Sequence, residues 1–387
     1  MSRAGARHVV AWYASSAACA VAAIMAAPPP AIAQDSAWEP QTEVGTGVVI
    51  NDNALLGRRG QFVGERSTDY ANVLRWRHES GYRLAPSTRL VGIGEATLLA
   101  LRSQEELRSA DFLVDVSLEQ GIGDTARLIP ELAGVYHPEA SRDWGFWLVR
   151  PGLRAELPPL AGVLTDLRYE FSLQEFFGDA PRRTFGNLDN RGHRGEVRLR
   201  YWLGSDWRLA LTYRIDVFTF SSNLLWSDPP LVAFVGLPEG TERQDFTNVV
   251  QPEVSYLAGG SLVLTLGYRF EDNRSNSPAF RYRAHRTMAV GYWEVTDRHI
   301  AFTEVRYGIY DFYSFQFDSR YRNTRSDLRL DVAANYRFVV NDSFYLQARY
   351  GLLLNDSNDS INFNPGTSLS FSTFSQNRFE LLGMVTF

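Results

Sequence analysis

Three neighbouring stretches of the sequence carry charge at every second position. Arg168 and Glu170 stand in the first, Arg194, Glu196, Arg198 and Arg200 in the second, and Arg208, Arg214 and Asp216 in the third. In an extended chain a spacing of two places side chains on one face, so each stretch presents a row of guanidinium and carboxylate groups. Such a wall can act in two ways. If water fills the space before it, the arginines draw anions in and tune their passage. Alternatively the opposite charges brace one another and select nothing. In the second and third stretches Arg194, Arg198, Arg200, Arg208 and Arg214 have only Glu196 and Asp216 as inward acids, which predicts a local positive excess. Near the dielectric of water a unit charge is worth only about 1 kcal/mol at 4 Å, so that excess acts on ions only in a narrow passage.

A second pattern, His78-Glu79-Ser80, sets a histidine and a serine on one face of a strand. The His-x-Ser spacing resembles that of outer-membrane lipid A deacylases, and the resemblance implies lipid ester hydrolysis at a barrel's outer surface. Those enzymes are far shorter, and no acidic partner can be assigned here, so a histidine at the membrane interface is the preferred reading and no enzymatic activity is expected. His137, His193, His285 and His299 lack metal-ligand spacing, and no haem, P-loop or dinucleotide motif occurs. Asn355-Asp356-Ser357-Asn358-Asp359 reads as a polar turn, since it lacks the glycine and distal glutamate of a calcium loop. No metal or cofactor is expected.

The elements that hold these residues are strands. In Val163–Leu173, Val163, Leu167, Tyr169, Phe171 and Leu173 alternate with Asp166, Arg168, Glu170 and Ser172. A face charged at successive alternate positions cannot lie in a dry sandwich core, and its apolar reverse cannot be fully solvated. The same pass along the chain yields sixteen strands. They begin near Gln41, Asp69, Arg89, Asp111, Thr125, Trp144, Val163, Arg194, Trp207, Thr247, Ser261, Tyr282, Ile300, Ser326, Ser343 and Thr373. Short turns such as Gly204–Asp206 alternate with long connections at Asn53–Thr68, Gly178–His193, Thr219–Phe246 and Asp356–Ser372. Pro130, Pro151 and Pro252 fall inside strands, where a missing N–H predicts bulges or misplaced boundaries.

No stretch is apolar for about 18 residues, so no transmembrane helix is available. In hydrocarbon each unpaired peptide group costs several kcal/mol, so a sheet can span only by closing on itself. The expected fold is therefore all-β: a closed antiparallel transmembrane β-barrel of about 16 strands, with 14 to 18 within boundary error. Trp76, Tyr136, Tyr201, Trp207, Tyr268, Trp293, Tyr336 and Tyr350 fall near strand ends, where interfacial girdles belong. The connection Thr219–Phe246 is unusually apolar. Its Leu224, Leu225, Trp226 and Phe234 are candidates for a constriction folded into the pore.

Phe379, Leu381, Val385 and Phe387 alternate along the final segment, and the sequence stops on Phe387. This resembles the C-terminal signal of Gram-negative outer-membrane proteins, which implies the barrel-assembly machinery as a partner. Tyr268–Asn276 and Tyr350–Asn358 share the pattern Tyr-x4-Asn-x-Ser-Asn. That repeat resembles the barrel domains of surface-lipoprotein assembly modifiers and polysaccharide exporters, which usually carry a helical repeat region that this sequence lacks.

At the other end, Arg3 and Arg7 precede an apolar run that Pro28, Pro29 and Pro30 stop before Ala31-Ile32-Ala33. Residues 1–33 are expected to be a cleaved signal peptide and 34–387 the barrel. Cleavage removes Cys19, the one cysteine, and takes the net charge from -5 to -7 by loss of the two arginines. All positive charge is arginine and none of it is clustered in a run, so nucleic acid is excluded as a partner. The reading that unites these features is a porin-like channel in the cell outer membrane, surrounded by lipid and passing small hydrophilic or amphipathic solutes. A conduit for polysaccharide or protein secretion and assembly, and a barrel enzyme acting on lipid, are the alternatives.

Overall fold

The computed structural model describes residues 39–52, 68–102, 108–123, 125–138, 145–177, 189–221, 242–276, 280–313, 325–357, 361–364, 367–369 and 374–387. Residues 1–33, expected to be a signal peptide, and the constriction candidates Leu224, Leu225, Trp226 and Phe234 lie outside these. The described chain is almost wholly strand. In order these are β1 (Glu39–Asn51), β2 (Asp69–Ala85), β3 (Thr88–Leu101), β4 (Ser109–Ile122), β5 (Ala126–His137) and β6 (Phe146–Leu160). Then come β7 (Val163–Phe176), β8 (Asn190–Leu203), β9 (Trp207–Phe220), β10 (Arg243–Ala258), β11 (Leu262–Ser275) and β12 (Tyr282–Thr296). The last are β13 (His299–Phe312), β14 (Ser326–Asn341), β15 (Phe344–Ser357), β16 (Ile361–Asn364), β17 (Thr367–Leu369) and β18 (Phe374–Thr386).

Each strand pairs antiparallel with its sequence neighbour, and β18 joins β15 to β1, closing a barrel of sixteen strands. The hairpin of β16 and β17 stands apart from that sheet, inside a connection that the sequence reads as loop. Tight turns link one rim, and the left-handed backbone they need falls on glycine, as at Gly204 (φ 71°) and Gly260 (φ 77°). Both ends of the described chain meet at this rim: the Phe387 N–H donates to the Thr42 carbonyl at 2.9 Å and the Thr42 N–H returns the bond at 3.3 Å.

The prolines correct an expectation. Pro130, Pro151 and Pro252 keep an unshifted register, opposite Leu153, Leu132 and Leu211. Pairing lapses only on the other flank, toward β4, β7 and β11 respectively, and resumes in the same register. In an antiparallel strand a residue's N–H points to one neighbour only. Each proline thus removes bonds on one side while the ladder on the other side holds the strand in place.

Alternation decides what faces where. Exposed large apolar side chains, such as Val114, Leu132, Leu211 and Leu266, stand on the outer face, Leu132 at 50% and Leu266 at 61% exposure. All eight aromatics named above from Trp76 to Tyr350 share that face by register. Away from the strand ends the charged residues point inward.

The seam β18–β1–β2 is different. Here Leu382, Met384, Val49, Ala71, Val73, Leu101 and Tyr345 point inward and pack as one buried cluster. A β-carbon at Gly47 would fall on the Leu381 carbonyl, so glycine is what lets β1 lie this close to β18. The inner face therefore carries one apolar cluster where the barrel's ends are joined, with charged residues beside it and around the rest of the wall.

Candidate functional site

The charged wall runs over β5 to β12, and register brings its members together. Arg194 stands opposite Asp216 and Glu170, Glu196 opposite Arg214 and Arg168, and Arg198 opposite Asp166. Every sequence-named charge of β7, β8 and β9 lies on the inner face. Arg194 Nε donates to Asp216 at 2.6 Å, and Arg214 Nε reaches the other oxygen of Asp216 at 3.0 Å. Arg194 also lies 3.5 Å from Glu170. Arg200 pairs with Asp166 at 2.7 Å.

Two contacts reach farther than one strand. Arg168 on β7 meets Glu131 on β5 at 2.8 Å, passing over β6 at Gly152, where no side chain stands between them. Arg198 on β8 meets Glu253 on β10 at 2.9 Å across Ala210 and Thr212 of β9. Arg208 alone of the set donates to a neutral partner, Ser255 at 3.2 Å, with its guanidinium 6.0 Å from the Trp202 ring.

These contacts correct the expected positive excess. Beyond Glu196 and Asp216, the wall supplies Asp166, Glu170 and Glu253 to the same arginines. Pattern reading counted acids on two strands, whereas arginine is long enough to span two strand spacings when the residue between is small. Each half-exposed pair is worth about 0–1 kcal/mol. Their joint effect is to fix the side chains against the wall and to cancel charge locally.

The network continues round the barrel. Glu271 accepts from Arg269 at 2.6 Å and from the Tyr282 hydroxyl at 2.5 Å. Arg306 bridges Glu304 at 2.6 Å and Asp331 at 3.5 Å. At the seam Glu380, 3% exposed, gathers Arg75 at 2.8 Å, Arg378 at 2.5 Å and Arg349 at 4.0 Å. Sequence reasoning missed this cluster; the signal was Arg378 and Glu380 at alternate positions on the inward parity of the final strand.

The other sequence candidates divide cleanly. Phe379 and Leu381 point outward and are exposed, and Phe387, at 75%, ends the strand at the tight-turn rim. Val385 shares their parity, opposite Val44 and Phe344. His78 and Ser80 both face outward, but the partner of His78 Nδ1 is Thr42 Oγ1 at 2.8 Å, and Trp76 stacks on the imidazole at 6.2 Å. Among the described residues no cluster of three or more metal-ligating side chains occurs.

No family model matches the sequence, and no curated protein does. Solved structures do resemble it. The outer-membrane-expressed OmpT of Vibrio cholerae aligns over 92% of this chain and 99% of its own, at 8% identity and a TM-score of 0.48. The anion-selective porin from Comamonas acidovorans aligns over 91% and 100%, at 10% identity and 0.45. OccK1 of Pseudomonas aeruginosa aligns over 92% and 99%, at 12% identity and 0.43. The chain itself is a closed, sixteen-stranded antiparallel barrel. With identities this low, the side chains of its wall have to be read on their own terms.

Proposed function

We propose that the barrel stands in a Gram-negative outer membrane, exported by residues 1–33, and passes small hydrophilic or amphipathic solutes through a water-filled lumen. The observation that carries this reading is the inverted pattern of the sheet: apolar side chains exposed outside, and paired arginines and carboxylates inside. An apolar outer surface of that extent needs hydrocarbon against it. Sixteen strands also give a width at which barrels hold water rather than a packed core. The outward Phe379, Leu381, Val385 and Phe387 would serve as the signal read by the assembly machinery. Balanced wall charge supports a channel that sorts solutes by size more than by sign.

Liposome swelling tests passage. Vesicles carrying the barrel should swell in small sugars at rates that fall with sugar size, and no swelling in any sugar would overturn the reading. Labelling tests placement. Because the mature chain has no cysteine, Asn276→Cys should react with a membrane-impermeant maleimide on intact cells. Asp206→Cys and Asp297→Cys, in tight turns of the opposite rim, should react only once the outer membrane is opened. The reverse pattern would contradict the orientation.

A further inference from the structure

At the rim of the long connections the outer face carries charge. Arg274 on β11 and Arg283 on β12 both donate to Asp272 through Nε, at 2.9 Å and 3.3 Å. The Tyr313 hydroxyl donates to the same carboxylate at 3.0 Å, and its ring lies 4.9 Å from the Arg283 guanidinium. Arg281, two positions before Arg283, is held in the same manner, its Nε donating to the Ser275 carbonyl at 2.6 Å. All three arginines are thus fixed by the inner nitrogen of the guanidinium. Their terminal nitrogens have no hydrogen-bond partner among the described residues. The side chains of Arg274 and Arg283 are 73% and 55% exposed.

Register sets this charge directly above an apolar belt. Asp272, Arg283, Asp311 and Ser326 form one row across four strands. The next row toward the tight turns is Phe270, His285, Ile309 and Leu328, about 7 Å along the strand. Two rows further stand Leu266, Ala289, Val305 and Val332. The local charge is also unbalanced. Three arginines face two carboxylates, and Asp311 accepts from Ser326 at 2.8 Å rather than from an arginine.

We propose that Arg274, Arg281 and Arg283 bind the phosphate of a lipid in the leaflet on the long-connection side. Its acyl chains run down the outer face over Phe270, Ile309 and Leu328. A planar guanidinium with free terminal nitrogens meets phosphate oxygens in pairs, and the anion supplies the negative charge that the cluster lacks. A free phosphate fits less well, since an exposed ion pair is worth only about 0–1 kcal/mol. A lipid adds the apolar contact of the row below. The proposal rests on the membrane placement argued above and is independent of solute passage.

Native mass spectrometry of the detergent-solubilised mature protein tests it. The probes are diphosphorylated lipid A and its dephosphorylated form, which share their tails and differ in phosphate. The double variant Arg274→Gln, Arg283→Gln removes two of the guanidinium groups. Arg191→Gln is the control, an outward arginine of the same rim, 61% exposed, whose terminal nitrogen already meets Glu242 at 3.4 Å. Gel heat-modifiability confirms that each variant folds. The double variant should bind lipid A at least about tenfold more weakly than wild type, while Arg191→Gln binds it as wild type does. Wild type and double variant should bind the dephosphorylated lipid equally. Equal lipid A binding by wild type and double variant, or an equal loss in Arg191→Gln, overturns the proposal. So does equal binding of both lipid forms by wild type, which leaves the tails alone responsible. Displacement of lipid A by an equal concentration of inorganic phosphate also overturns it and assigns the arginines to a free anion. Labelling of Asn276→Cys only after the outer membrane is opened would refute the placement, whereas the micelle measurement reads lipid binding whichever way the barrel stands.

Discussion

Replacing Glu380 by alanine should destabilise the barrel by about 1.5–3 kcal/mol, as loss of a buried charged hydrogen-bond acceptor does. Glu380 is the buried acceptor for Arg75, Arg378 and Arg349 at the strand that closes the sheet. Without it three guanidinium groups face one another beside the apolar cluster of Leu382, Val73 and Val49. Repulsion then acts directly on the β18–β1 seam. Arg378→Ala should cost far less, about 0–1 kcal/mol, because its side chain is 43% exposed and Arg75 still neutralises the glutamate. Urea unfolding in detergent micelles separates the two. Equal midpoints for Glu380→Ala and wild type would mean that the cluster contributes nothing to closure.

The second large effect concerns ions. Arg200 and Arg208 lie close to the tight-turn rim, Arg200 holding Asp166 at 2.7 Å and Arg208 donating to Ser255. Changing both to glutamate removes two positive charges, adds two negative ones and takes away the arginine that pairs with Asp166. Cation preference should rise several-fold, most clearly at or below 0.1 M salt, where screening extends to about 10 Å. An unmoved reversal potential together with lower thermal stability would assign these arginines to bracing the wall alone.

Much of this architecture was legible in the sequence because a barrel strand writes both its faces into alternate residues. Val163–Leu173 is the clearest case, and the strand starts from Gln41 to Thr373 fall within four residues of those observed. Alternation does not encode which residue lies two strands away. The Arg168–Glu131 and Arg198–Glu253 contacts depend on the small residues Gly152, Ala210 and Thr212 being brought between them by register, and a one-dimensional pattern cannot supply that. The prolines misled for a related reason: sequence shows the lost N–H but not which flank it faced. The seam escaped notice because Leu381, Leu382, Gly383, Met384 and Val385 are apolar on both faces, so alternation vanishes where the inner face is packed rather than wet. The apolar residues from Leu224 to Phe234 lie outside the described chain, and the expected constriction stands as a proposal.

Single-channel recording of the wild-type protein in a planar bilayer tests the central claim most directly. A water-filled barrel with a charge-compensated wall should give discrete conductance steps, and across a potassium chloride gradient the reversal potential should lie near zero. A folded, membrane-inserted protein that gives no conductance steps would contradict the channel, and steps with a strongly anion-selective reversal potential would contradict the compensated wall.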